Sequence, residues 1–185
     1  MKSFIENYIK LFSYYKSLAD KSLATLTEEQ IFFSLNENSN NIAIIMKHMS
    51  GNMLSRWTDF LTSDGEKEWR NRDTEFEDSF LDKSTLFTYW EKGWDCLFAA
   101  LNSLEANQLE QIVYIRNQGQ TVNEAINRQI AHYAYHVGQI VFLAKYFQNE
   151  NWVSLSIPKN KSIEYNQEKF DNEKVIKNFT DEFLK

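Results

Sequence analysis

The stretch TVNEAINRQIAHYAYHVGQIVFLAKYF, residues 121–147, decides the fold. Its apolar residues Ile126, Ile130, Tyr133, Val137, Ile140, Val141 and Ala144 recur at three and four, the spacing of one helix face. It opens on Thr121-Val122-Asn123-Glu124, a capping box in which the first and fourth side chains each accept from the other's backbone N–H. No proline interrupts it. A long amphipathic helix must bury its apolar stripe, and other helices of the same kind are the simplest partners.

The rest of the chain supplies them. Residues 3–23 place Phe4, Ile5, Tyr8, Leu11, Phe12, Tyr15 and Leu18 on one stripe, predicting a first helix. After a mixed segment from Thr25 to Asn38, with Thr27 suited to cap one turn, a second helix is expected from Asn40 or Asn41 to about Thr62. Its buried face would carry Ile44, Ile45, His48, Met49, Asn52, Ser55 and Phe60, and Asp64-Gly65 would stop it. A third helix fits Ser84 to Leu104, where Gly93 costs about 1 kcal/mol of propensity unless it permits a close crossing. Ile112 to Ile115 is strand-like and runs into a turn at Arg116-Asn117-Gln118-Gly119.

Two segments are not helical by this reading. The connection from Asp64 to Asp82 is polar and charged, with isolated Trp69, Phe76, Phe80 and Leu81, and long ordered connections often brace a site. Its Arg70 and Arg72, set among acids, read as ordinary surface ion pairs. Beyond Gln148 the chain holds its single proline, Pro158, and reads as an extended tail packed across the bundle, with a short or frayed helix from Glu173 to Leu184. The expected architecture is all-α: one domain over residues 1–185, a four-helix bundle with a long connection after its second helix.

Composition narrows the function. A net charge of −6 argues against nucleic acid as a partner. The absence of a long apolar run argues against a membrane span. The lone Cys96 fits a reducing, cytoplasmic location and reads as a packed thiol.

The three histidines carry the chemistry. His132 and His136 share a helix face, with Cβ atoms roughly 5–6 Å apart, close enough to converge on one ion. His48 lies on the second helix; if the two helices are neighbours, all three meet. Two histidines at this spacing are more often polar surface or hydrogen-bonded core groups than ligands, a lone histidine such as His48 is more often a satisfied core group, and only the three together favour a metal. No Glu-x-x-His or HExxH pattern is present, which disfavours di-iron and zincin chemistry. Three imidazoles leave a position open for water or substrate, whereas a fourth ligand from Glu124 or the 64–82 connection would close the site. Gln129, Gln139 and Asn52 stand one turn from the histidines as orienting partners or as plain amides. Arg56 and Arg128 are candidates to meet an anionic substrate, or ordinary ion pairs.

These residues carry a resemblance. One histidine in the second helix with His-x-x-x-His in the last resembles the DinB/YfiT-like superfamily of four-helix bundles. More narrowly, NIAIIMKHMSGNMLSRWTDFLTSDGEKEWRNRDTEFED, IRNQGQTVNEAINRQIAHYAYHVGQIVFLAKY and SLSIPKNKSIEYN resemble a DinB-like subfamily found in Bacillus-type and related bacteria. The resemblance implies a divalent metal, zinc or nickel, on His48, His132 and His136. It implies thiol-dependent chemistry with a small-molecule substrate, for which relatives use bacillithiol or isomerise maleylpyruvate with mycothiol. It also makes a homodimer plausible. The alternative is a non-catalytic metal- or ligand-binding protein related to stress.

Overall fold

Thr121 and Glu124 form the expected capping box, and the longest helix follows from it. The computed structural model describes residues 2–80 and 82–184, so Leu81 lies outside it. Its helices are α1 (Lys2–Leu23), α2 (Glu28–Phe32), α3 (Ile42–Trp57), α4 (Lys83–Asn102), α5 (Val122–Gln148) and α6 (Ser162–Phe170). The hairpin β1 (Ile112–Ile115) and β2 (Gln118–Thr121) lies between α4 and α5. Side-chain caps start the helices where local chemistry predicts: Asn41 accepts from the backbone N–H of Ile44, Asp82 from Thr85, and Thr121 from Glu124.

The four long helices close a ring, α1 packing on α4 and α5 while α3 packs on the same two. Phe12, Met46, Met49, Met53, Trp90, Trp94, Leu97, Tyr133, Val137 and Ile140 fill the interior. The closest seam is α3 against α4, and Gly93 makes it possible. A Cβ at Gly93 would lie 2.9 Å from Ser50 Cα, a contact that only backbone movement could relieve. We therefore expect Gly93→Ala to destabilise the fold. Overpacking typically costs about 1–3 kcal/mol, which offsets or exceeds the roughly 1 kcal/mol gained in helix propensity. A urea midpoint above wild type would contradict this packing.

α3 departs from the expected pattern in two ways. It ends at Trp57 rather than Thr62, because Thr58 is extended and Asp59 adopts a positive φ of 48°. Ser63 and Thr62 then donate back to the Asp59 carbonyl in a turn. Moreover, α3 is buried on nearly every side, not along one stripe. The connection covers its outer surface. Lys47 donates to the Thr74 and Glu77 carbonyls and to Ser79 Oγ, fastening that segment along α3.

The hairpin and the tail also differ from expectation. Ile112–Ile115 is a strand, and its partner Gln118–Thr121 is added across Arg116-Asn117, both with positive φ, as a type I′ turn requires. Asp64 accepts from the backbone N–H groups of Arg116 and Asn117 and so ties this turn to the connection. The tail folds into α6, which buries none of its residues. It is anchored beyond that helix, where Phe179 and Phe183 pack on Tyr14 and Asp181 pairs with Lys10 of α1. Among the described residues no helix is long and apolar enough to cross a membrane.

Candidate metal centre

Because α3 packs beside α5, His48 meets His132 and His136. The Nε2 atoms of His48 and His132 are 3.3 Å apart, and those of His132 and His136 are 3.0 Å apart. Metal–nitrogen bonds of about 2.0–2.1 Å in tetrahedral geometry place their nitrogens about 3.3 Å apart. Both pairs that include His132 are near this spacing, and the ligand nitrogens of all three lie within 4.8 Å of one another, so the group could hold a metal ion. His48 and His136 are nearly sealed from solvent, at 4 % and 9 % exposure.

Two neighbours turn the rings the right way. Glu75 Oε2 lies 2.9 Å from His48 Nδ1, and Gln139 Oε1 lies 2.8 Å from His136 Nδ1. Each oxygen accepts the Nδ1 proton, which leaves the Nε2 lone pair facing the cluster. Glu75 is itself clamped by Arg70, whose Nε and Nη2 donate to its two oxygens at 2.7 and 2.9 Å. Burial opposes the charge on Glu75, yet the hydrogen bonds from His48 and Arg70 hold its carboxyl below the ordinary range. Gly51, one turn along α3 from His48, leaves the space this carboxylate occupies, since a Cβ there would collide with it.

Burial, reinforced by the neighbouring His136 and His48, pushes His132 down to about 3. His136 is also lowered, chiefly by burial. Both rings are thus neutral near pH 7, the form that binds metal. The unfolded chain takes up these protons near pH 6.5, while the folded protein refuses them until lower pH. Stability of the metal-free protein should fall as pH drops from 7 to 5. A Tm that stays flat or rises over that interval, measured in chelator, would contradict this account of the site.

The other candidates separate clearly. Gln139 orients His136, as one reading of the sequence allows. Asn52 is buried and accepts from Tyr133 Oη at 2.9 Å, and Tyr133 in turn accepts from Trp57 Nε1. Gln129 is 3 % exposed and its Oε1 has no partner. Arg56 is buried, donating to the Gly65 carbonyl and to Glu66, while Arg128 is exposed. Asn52, Gln129, Arg56 and Arg128, but not Gln139, line a cleft of about 260 Å³ together with His48 and His132. Glu124 is no ligand here; it is exposed and spent on the cap at Thr121. Cys96 is half-buried against the core, with Thr58 Oγ1 3.5 Å from its sulfur.

Arg70 corrects the reading of surface ion pairs. Its side chain is only 2 % exposed, and it joins Glu75 to Glu66, which also binds Arg56 and Arg116. Glu75, Arg70 and Glu66 were not legible as site residues, because their segment has no helical period. The signal available was Gly51, a glycine inside an otherwise continuous helix three residues from His48.

No curated protein and no solved structure matches the chain. Residues 1–161 match a family described as protein of unknown function, DUF1572. With the helical bundle and the three-histidine cluster in place, the chain belongs to DUF1572, a DinB/YfiT-like family.

Proposed function

We propose that this protein is a divalent-metal-dependent enzyme that transfers a low-molecular-weight thiol, of the bacillithiol kind, to an electrophilic small molecule. One observation carries the reading: three imidazoles converge, among the described residues no fourth side chain joins them, and the cluster opens on a cleft. That donor set suits zinc or nickel and leaves a position for an exogenous ligand. A bound divalent ion would lower the pKa of a coordinated thiol or water toward neutrality.

The protein's own residues do the rest. His48, His132 and His136 would hold the ion, with Glu75 and Gln139 fixing the tautomers of two of them. Tyr133 occupies the Asn52 carbonyl, so the Asn52 amide nitrogen is the group left to donate to substrate. The thiol loses its proton and its sulfur forms a bond to the electrophilic carbon. The displaced leaving group, or the carbanion formed by addition, takes up a proton.

The test is turnover of a panel of thiols and electrophiles by zinc- and nickel-loaded protein, wild type against His136→Ala. Thiol consumption by wild type, absent in the variant, is expected. Equal rates across the whole panel would remove the basis for an enzyme and leave metal storage or sensing.

A further inference from the structure

The cleft beside the histidines is lined by Arg56, Arg70, Arg72, Arg116 and Arg128 together with His48, Asn52, Gln129 and His132. Among the described residues no carboxylate lines it. Glu66 and Glu75 lie behind it and are ion-paired to Arg56, Arg70 and Arg116. Arg72 and Arg128 make no ion pair among the described residues. The Arg72 guanidinium lies 5.0 Å over the Phe76 ring, which packs against His48. Five guanidinium groups from α3, α5, the connection and the hairpin turn thus converge on one small space, in a chain whose net charge is −6. Glu66 and Glu75 offset three of these charges, and Arg72 and Arg128 are the two that an anion in the cleft would neutralise.

A second observation points the same way. Gln129 Oε1 and Arg56 Nε are buried without a partner among the described residues, and both residues line this cleft and the small closed cavity beside it. An orphaned buried acceptor and donor are costly on their own, and a ligand bearing both an oxyanion and a hydroxyl or amine would satisfy them.

We propose that this cleft binds a small substrate carrying at least two oxyanion groups, a dicarboxylate or a phosphate ester, gripped by Arg72, Arg116 and Arg128 at its mouth. Guanidinium forks match either group in bidentate fashion. The inference deepens the enzyme reading, since it places the anionic end of the substrate beside the histidines. The anion site itself does not need the metal.

The experiment is calorimetric titration of the full chain, zinc-loaded and chelator-treated, with inorganic phosphate, succinate, tartrate and neutral succinamide. Succinate or phosphate should bind both forms while succinamide does not, and which of the two binds identifies the oxyanion. Tartrate should exceed succinate, and Gln129→Leu should erase that difference. Arg72→Gln with Arg128→Gln, both exposed positions, should weaken binding about tenfold per arginine, and salt should weaken it further. Succinamide binding as well as succinate would overturn the proposal. So would anion binding that ignores the arginines and vanishes on chelation, for then only the metal holds the anion. Anion binding in a protein that takes up no zinc would support the cleft and sink the metal-centred reading instead.

Discussion

Glu75→Ala is expected to be the most damaging single change near the site. Its carboxylate takes two hydrogen bonds from Arg70 and one from His48, in a place where the Arg70 side chain is 2 % exposed. Removing one member of a buried pair costs up to about 3–5 kcal/mol when the other charge is left alone, and Arg70 would keep only its longer contact, 3.4 Å, to Glu66. The same change frees the His48 ring to rotate and to change tautomer. Loss of such an outer partner lowers metal affinity by about 10–100-fold. The two effects separate in Arg70→Met with Glu75→Leu. That double variant should recover much of the stability, because no charge is stranded, but not the affinity. Urea unfolding and zinc titration of the three proteins check this. A Glu75→Ala protein within about 0.5 kcal/mol of wild type, the range of ordinary surface changes, would show that the network is not buried in solution.

Zinc itself should produce the second large effect. An ion that binds only the folded chain stabilises it by about 4 kcal/mol at a thousandfold excess over its Kd. In a chain of 185 residues that is roughly 10 °C in Tm. The rise should disappear in His132→Ala, because His132 stands between the other two rings and its Nε2 is close to both. A rise of equal size in the variant would place the zinc elsewhere.

What the sequence revealed follows from how local each signal is. The start of α5 was legible in four residues, since a capping box is complete within one turn. The convergence of the histidines was legible because the chain has three of them, two at helical spacing and one on a second strong helix. Gly93 carried two readings, a tolerated propensity cost or a close crossing, and its approach to Ser50 selects the second. The end of α3 was not legible. Nothing in the residues Thr58 and Asp59 announces the extended and positive-φ backbone found there, across which Trp57 and Phe60 pack. β2 reads Gln-Gly-Gln-Thr, without strand propensity, and exists because β1 pairs with it.

The site shows the same division. The contact of Gln139 with His136 is one that helical spacing allows. Glu75 was not, for it reaches His48 from 27 positions away in sequence, through a segment with no period to read. The arginines of the cleft come from four separate elements and meet only in three dimensions. Sequence spacing finds partners on one helix; it cannot find those that a covering loop supplies.

The measurement that bears most directly on the metal centre is ion content, by mass spectrometry, of untagged protein, wild type and His132→Ala. About one zinc, nickel or similar divalent ion per wild-type chain and none in the variant, with both proteins folded, is the expected result. No stoichiometric metal in the wild type, and no uptake when divalent ions are added, would contradict it and return the three histidines to the core as hydrogen-bonded packing groups.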